Sequence, residues 1–234
     1  MDKHKHVCTI VDQEPVVSGH AMGGHVMHAH WYFDVISPFS YLQFLRLNEV
    51  AGRCDLSLKP VLFAGLLNAN GQKGPAEIPS KRLFTYRMVT WLAAKRGVPF
   101  TFPDAHPFNP IRALRLCVAL GATTDSVGNI FHAIWGEGHL PDNDKGWQAI
   151  QAACGIDNGD EMIADPDVKK TLIANGQQAL AENVFGVPSF VAGGEVFWGD
   201  DALGFFSDWL DDRGVLETPG MKKLDDLPSS ANRR

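Results

Sequence analysis

The stretch FDVISPFSYL, residues 33–42, decides how this chain folds. An apolar run suited to a strand (Tyr32, Phe33, Val35, Ile36) halts at Ser37-Pro38, and a second apolar run with helical spacing begins there. Proline suits the first helical position because its missing N–H would have no partner there, and Gly52 stands where that helix should stop. Next, DLSLKPV (residues 55–61) alternates polar and apolar side chains, which predicts a second strand. A strand, a crossover helix and a parallel strand make a right-handed βαβ unit.

Downstream the pattern changes. A Gly- and Asn-rich loop, NANGQKGPAEIPS, leads into helical runs at about 80–97, 110–121, 124–136, 146–154 and 166–184. Turn signals (GVPFTFP, GATTD, LPDND) separate them, and no strand pattern of similar strength interrupts the block. The strand signal returns in GVPSFVAGGEVFWGDDALGFFSDWL as a strand, a Gly193-Gly194 turn, a strand and a helix from about Asp200. The order βαβ, helices, ββα predicts an α/β protein with a thioredoxin-like fold and an inserted all-helical domain. Residues 28–66 and 183–215 would form the discontinuous thioredoxin-like domain, and 67–182 the helical insertion. Residues 1–27 read as a disordered N-terminal extension and 216–234 as a C-terminal tail.

The 234 residues, 45% hydrophobic and 21% charged, have an ordinary globular composition and the mass for a full core. A net charge of −6 argues against nucleic acid or an anionic membrane as the main partner. No apolar run approaches the length of a transmembrane helix. Cys8, Cys54, Cys117 and Cys154 are far apart and match no metal or disulfide spacing, which points to a reducing, cytoplasmic setting. Six of the nine histidines fall within residues 1–30, among Gly and Ser and without periodicity. We read them as an extension rather than a metal-binding tail, and expect residues 1–26 to be dispensable.

Three motifs carry chemistry. Ser37 lies at a strand-to-helix junction, where unpaired N–H groups and the helix dipole favour negative charge. In a thioredoxin-type redox site this junction carries Cys-x-x-Cys, whereas here the two positions are Ser37 and Ser40. A serine caps such a helix, and it can also donate a hydrogen bond to a thiolate brought by another molecule. In FGVPSF, Val187-Pro188 opens a strand. It is either an ordinary trans proline or a cis bond that turns the Val187 backbone outward to pair with a peptide-like ligand. In FWGDDAL, Asp200 and Asp201 start the last helix, as caps, as partners for an ammonium group, or as both. The predicted topology brings all three motifs to one end of the sheet.

In order along the chain, FDVISPFSYL, KPVLFAGLL, PSKRLF, HPFNPIRALRL, FGVPSFV and FWGDDAL resemble the 2-hydroxychromene-2-carboxylate isomerases, relatives of the kappa-class glutathione transferases. The resemblance runs from about residue 28 to 212, and the serine of Ser-Pro-Phe-Ser is its most diagnostic element. It implies a cytoplasmic, homodimeric, glutathione-dependent enzyme of naphthalene-type aromatic degradation. Such an enzyme interconverts 2-hydroxychromene-2-carboxylate and trans-o-hydroxybenzylidenepyruvate. Carried over by position, Ser37 would activate the glutathione sulfur and Val187, before Pro188, would pair with the cysteinyl backbone. Trp198, Asp200 and Asp201 would hold the γ-glutamyl end, with Gln72 a contact from the long loop. The substrate carboxylate needs a cation, for which Lys81, Arg82 and Arg112 are candidates; Asn109 would line the pocket while His106 packs between turns. The family often continues Asp-Arg-Leu where this chain has Asp201-Ala202-Leu203, so an arginine is missing beside the site.

Two other functions fit parts of this pattern. A general glutathione transferase would share every glutathione contact and differ only in the helical pocket for its second substrate. A non-catalytic thioredoxin-like module would bind glutathione or peptide without accelerating a reaction. A dithiol oxidoreductase is excluded, because the chain contains no Cys-x-x-Cys.

Overall fold

The computed structural model describes residues 26–230, so the expected N-terminal extension, with its histidines up to His25, lies outside the described residues. Four strands form one sheet in the order β2-β1-β3-β4: β1 (His28–Phe33), β2 (Asp55–Pro60), β3 (Ser189–Ala192) and β4 (Glu195–Trp198). β2 runs parallel to β1, with Trp31 opposite Leu58. β3 runs antiparallel to β1, with Tyr32 opposite Ser189, and β4 closes a hairpin through Gly193 and Gly194, both at positive φ.

Helix α1 (Pro38–Phe44) starts at Ser37 as expected but stops sooner. The chain tightens after Gln43 into shorter i to i+3 bonds and a 3-10 turn, Leu47–Val50, instead of running to Gly52. Helix α2 (Phe63–Ala69) was not anticipated, since Leu62 at its start offers no capping side chain. Its first N–H is met from a distance: Phe63 N donates to Asp34 Oδ2 at 2.8 Å.

The block between β2 and β3 is helical. It contains α3 (Pro79–Arg96), α4 (Ile111–Ala119), α5 (Thr124–Phe131) running into a π turn (His132–Gly136), α6 (Asp144–Ala153), α7 (Gly159–Ala164) and α8 (Pro166–Ala181). Thr123, Asn143 and Asp165 cap α5, α6 and α8 through their side chains. After β4, a 3-10 turn (Asp200–Ala202) leads into α9 (Leu203–Asp211). A short α10 (Pro219–Asp225) lies within the stretch read as a tail. Among the described residues no helix is long and apolar enough to cross a membrane.

Strand alternation gives the sheet two unequal faces. Ala29, Trp31 and Phe33 join Phe190, Phe197, Phe131, Trp135 and Phe206 in the larger core. Tyr32, Val191 and Val61 pack with Leu66 of α2 and Ala179 of α8 on the other face. The helical block therefore shares a core with the sheet.

Candidate active site

The turn after β1 is held from several sides. Ser37 is extended (φ −90, ψ 112), and its Oγ accepts from Ser40 N at 3.2 Å while its own N–H donates to Asp34 O at 3.0 Å. Only 7% of Ser37 is exposed, and among the described residues its hydroxyl proton has no acceptor. Beneath it, Asp34 is fully buried and receives Ile36 N on Oδ1 at 3.0 Å as well as Phe63 N on Oδ2. Burial pushes the Asp34 carboxyl up to about 7, against the pull of these two backbone donors.

The helical block supplies the remaining bonds. Trp135 Nε1 donates to Val35 O at 2.8 Å, and His106 Nε2 lies 2.9 Å from Ile36 O. The Tyr86 hydroxyl is 2.7 Å from His106 Nδ1 and 2.8 Å from the His106 carbonyl. Burial, helped by the charge of Arg82, lowers the His106 pKa, and the bond to Ile36 O opposes that shift.

The Val187-Pro188 bond is cis rather than the ordinary trans. The antiparallel register, continued one step past each strand, carries this dipeptide alongside Phe33 and Asp34. Among the described residues no hydrogen bond engages the Val187 N–H or carbonyl, while Pro188 O receives Gly199 N at 2.9 Å. That bond joins the second motif to the third. Gln43 of α1 bridges further, donating to Gly199 O and accepting from Trp31 Nε1, both at 2.7 Å.

At the third motif the two aspartates separate. Asp200 is 6% exposed and forms a bidentate pair with Arg96, at the end of α3, at 2.8 and 2.5 Å. Its carboxylate is therefore engaged internally, whereas the sequence reading has it hold a ligand's ammonium group. Asp201 is exposed, and its carboxylate folds over Gly199, whose φ of 101 suits glycine. Trp198 is 54% exposed, with its indole against Gly186 and edge-on to Phe185 at 5.2 Å.

The residues proposed for a second substrate divide likewise. Lys81 and Arg82 are exposed near the start of α3, and Arg82 acts electrostatically on both Tyr86 and His106. Gln72 is exposed in the loop after α2, the helix whose first N–H is tied to Asp34. Asn109 accepts from Ile111 N at 3.1 Å and its N–H donates to Asp142, so it shapes the entry to α4. Arg112 donates to Asp160 at 2.8 Å, lies 3.7 Å from Asp144 and stacks on Trp147. The sequence reading has Arg112 as a candidate for the substrate carboxylate, and in the structure its guanidinium already carries these three partners. Among the described residues no group of three or more His, Cys, Asp or Glu side chains is arranged to hold a metal ion.

Comparison with known proteins places this arrangement. The sequence pattern of the DSBA-like thioredoxin domain matches residues 30–211. The chain belongs to that family. It is 30% identical to a 2-hydroxychromene-2-carboxylate isomerase of Sphingobium xenophagum, over 77% of this chain and 96% of the relative. A solved 2-hydroxychromene-2-carboxylate isomerase superposes with a TM-score of 0.66 at 25% identity, covering 87% of this chain and all of the other. Human glutathione S-transferase kappa 1 is 24% identical over 69% of this chain and 79% of its own length.

In this DSBA-like chain, Ser37, Val187, Pro188 and Asp201 gather at one end of the sheet, as the topology required. The sequence reading missed Asp34, Tyr86, Arg96 and Trp135, and gave His106 only a packing role. Asp34 alone left a signal, a carboxylate inside the otherwise apolar run Phe33 to Ile36. The others act on partners 20 to 104 positions away and have no local signature.

Proposed function

We propose that this chain is a glutathione-dependent isomerase that interconverts 2-hydroxychromene-2-carboxylate and trans-o-hydroxybenzylidenepyruvate. The carrying observation is the uncommitted hydroxyl proton of Ser37 just past β1, together with the unpaired backbone of Val187 just before the neighbouring strand β3. Both are what an extended tripeptide with a central thiol requires. Relatives named as isomerases of this acid, at about 30% identity, support the substrate class.

In this reading the Val187 N–H and carbonyl pair with the cysteinyl residue of glutathione, as in strand addition. Asp201 and the Trp198 face hold the γ-glutamyl end, with Gln72 approaching from the loop after α2. Ser37 donates to the sulfur and stabilises the thiolate. A free thiol with a pKa of about 8.5 is only a few per cent ionised near neutrality, so depressing it by one unit raises the nucleophile several-fold. The ring C–O bond of the cyclic hemiketal opens to a ketone, its hydroxyl proton passing to the phenolic oxygen. The thiolate then forms a C–S bond to the enone carbon β to that ketone, and the electron pair moves into the conjugated keto acid. The former double bond then rotates as a single bond. Loss of the thiolate restores the double bond in the other isomer and regenerates glutathione. Arg82 and Lys81 hold the substrate carboxylate. The enzyme works as a homodimer in the cytoplasm.

A second reading, a glutathione transferase acting on another electrophile, draws on the kappa-class relatives and shares every glutathione contact. An absorbance assay of the purified protein with the chromene acid, with and without glutathione, separates the two. Isomerisation that requires glutathione supports the proposal. Isomerisation without glutathione rejects its mechanism, and glutathione binding with no isomerisation favours the transferase.

A further inference from the structure

We propose that His106, oriented by Tyr86, is a positioning residue that fixes the Ile36–Ser37 peptide unit and thereby aims the Ser37 hydroxyl. This rests on the reading of Ser37 as the thiol-activating group.

A carbonyl oxygen carries no proton, so His106 Nε2, 2.9 Å from Ile36 O, must be the donor. In a neutral ring Nδ1 is then an acceptor, and the Tyr86 hydroxyl, 2.7 Å from it and 2.8 Å from the His106 carbonyl, shares its one proton between these two acceptors. The bond to Ile36 O thus sets the tautomer, and Tyr86 holds the far side of the same residue. Aromatic rings close round the imidazole: Tyr86, Trp135, Phe108 and Phe102 have centroids 5.2, 5.5, 5.8 and 6.2 Å away. The ring has little room to swing.

Ile36 C=O and Ser37 N–H belong to one peptide plane. The N–H is tied to Asp34 O, three residues back, and the C=O is tied to a side chain 70 positions away. Rotating that plane is the simplest local motion that would re-aim Ser37, and it breaks both bonds. Without His106 only the short-range bond resists it. The wall of the helical block thus controls the group on the sheet that activates the thiol.

The test uses the full-length chain with His106→Phe, His106→Gln and Tyr86→Phe. Amide hydrogen exchange at Ser37 is compared with that at Phe206 in α9. The ultraviolet thiolate absorbance of added glutathione is titrated with pH. His106→Phe keeps an aromatic of similar size but no donor. We expect Ser37 exchange to rise about tenfold with Phe206 unchanged, the size of effect that one lost hydrogen bond gives. The bound thiol should titrate closer to its free value while glutathione affinity stays within about threefold. His106→Gln, which keeps a donor, should recover most of the effect, and Tyr86→Phe should fall between. Unchanged Ser37 exchange in His106→Phe, equal acceleration at Phe206, or no recovery with glutamine overturns the proposal. A wild-type protein that shows no thiolate on adding glutathione instead overturns the isomerase reading, and the exchange data still decide the role of His106.

Discussion

At its amino end β1 presents His28, bonded to Asp55 at 3.1 Å with the two side chains 49% and 73% exposed. A turn further along, His30 and Tyr32 meet Glu182 at 3.0 and 2.8 Å in a half-buried cluster. At the carboxyl end the same strand runs into Asp34, Val35, Ile36 and Ser37, each held by a hydrogen bond from a backbone or ring N–H or to a buried carbonyl. The first end begins in an exposed contact between flexible side chains, His28 and Asp55. The second places rigid donors on fixed acceptors out of water, where an unmade bond costs more and geometry is kept. Precision is concentrated where Ser37 sits.

Replacing Ser37 by Ala should break the carboxyl end most. A charge-assisted hydrogen bond of about 1.5–3 kcal/mol to the sulfur, or roughly one to two pKa units, would be lost. Isomerase turnover at neutral pH should fall at least about tenfold, with partial recovery at higher pH and glutathione binding kept. Full activity at neutral pH would remove Ser37 from the mechanism.

Next in size is Arg96→Ala, which strands the Asp200 carboxylate in a 6% exposed position. Since Arg96 is itself 23% exposed, the cost should lie near the lower end of the buried-pair range, about 3 kcal/mol in urea unfolding. A cost under about 1 kcal/mol would class this pair with ordinary surface contacts.

Asp34→Asn tests the same end through pH. With its carboxyl raised to about 7, folded Asp34 keeps a proton that the unfolded chain, with a pKa of about 3.9, has lost. The folded state binds more protons between these values, so stability falls as pH rises from about 4 to about 7 and is level above. The difference between wild type and Asp34→Asn, measured by urea unfolding at acidic and alkaline pH, should carry this slope. A pH-independent difference would mean that Asp34 is ionised in the fold.

Asp55→Asn, at the amino end, should change stability by less than about 0.5 kcal/mol and leave activity untouched. If it costs as much as Arg96→Ala, the contrast between the two ends fails.

The sequence carried the frame of this protein in its punctuation. Ser37-Pro38 marked the start of α1, Gly193-Gly194 marked the hairpin, and the long periodic runs marked the helical block within a few residues. Helix α2 escaped because it is seven residues long and is started by a carboxylate 29 positions upstream, not by a local cap. Around the candidate site the geometry was legible where one short motif fixes the backbone, as at Ser37, the cap of α1, and at the cis Val187-Pro188 bond. It was illegible where a role depends on which distant group arrives first. Asp200 and Asp201 are adjacent and chemically identical in the sequence, and only the approach of Arg96 tells them apart. Arg112 looked like a free cation until Asp160 and Trp147 were found beside it.

The Arg96–Asp200 pair also orders assembly. Its members are 104 residues apart, and β1, the strand that carries the site, finds its partner β3 only after the whole helical block has been made. During synthesis the amino-terminal βαβ half emerges with one edge of its central strand open and with Val35 and Ile36 carbonyls awaiting Trp135 and His106. Contacts of such long sequence separation form late, since the chain between must first be ordered. Arg96 reaches its carboxylate only once the last helix begins, so the clasp closes after the strands and rings are in place. An aimed Ser37 and a seated Asp200 therefore arise together, and a chain truncated before Asp200 should emerge with neither.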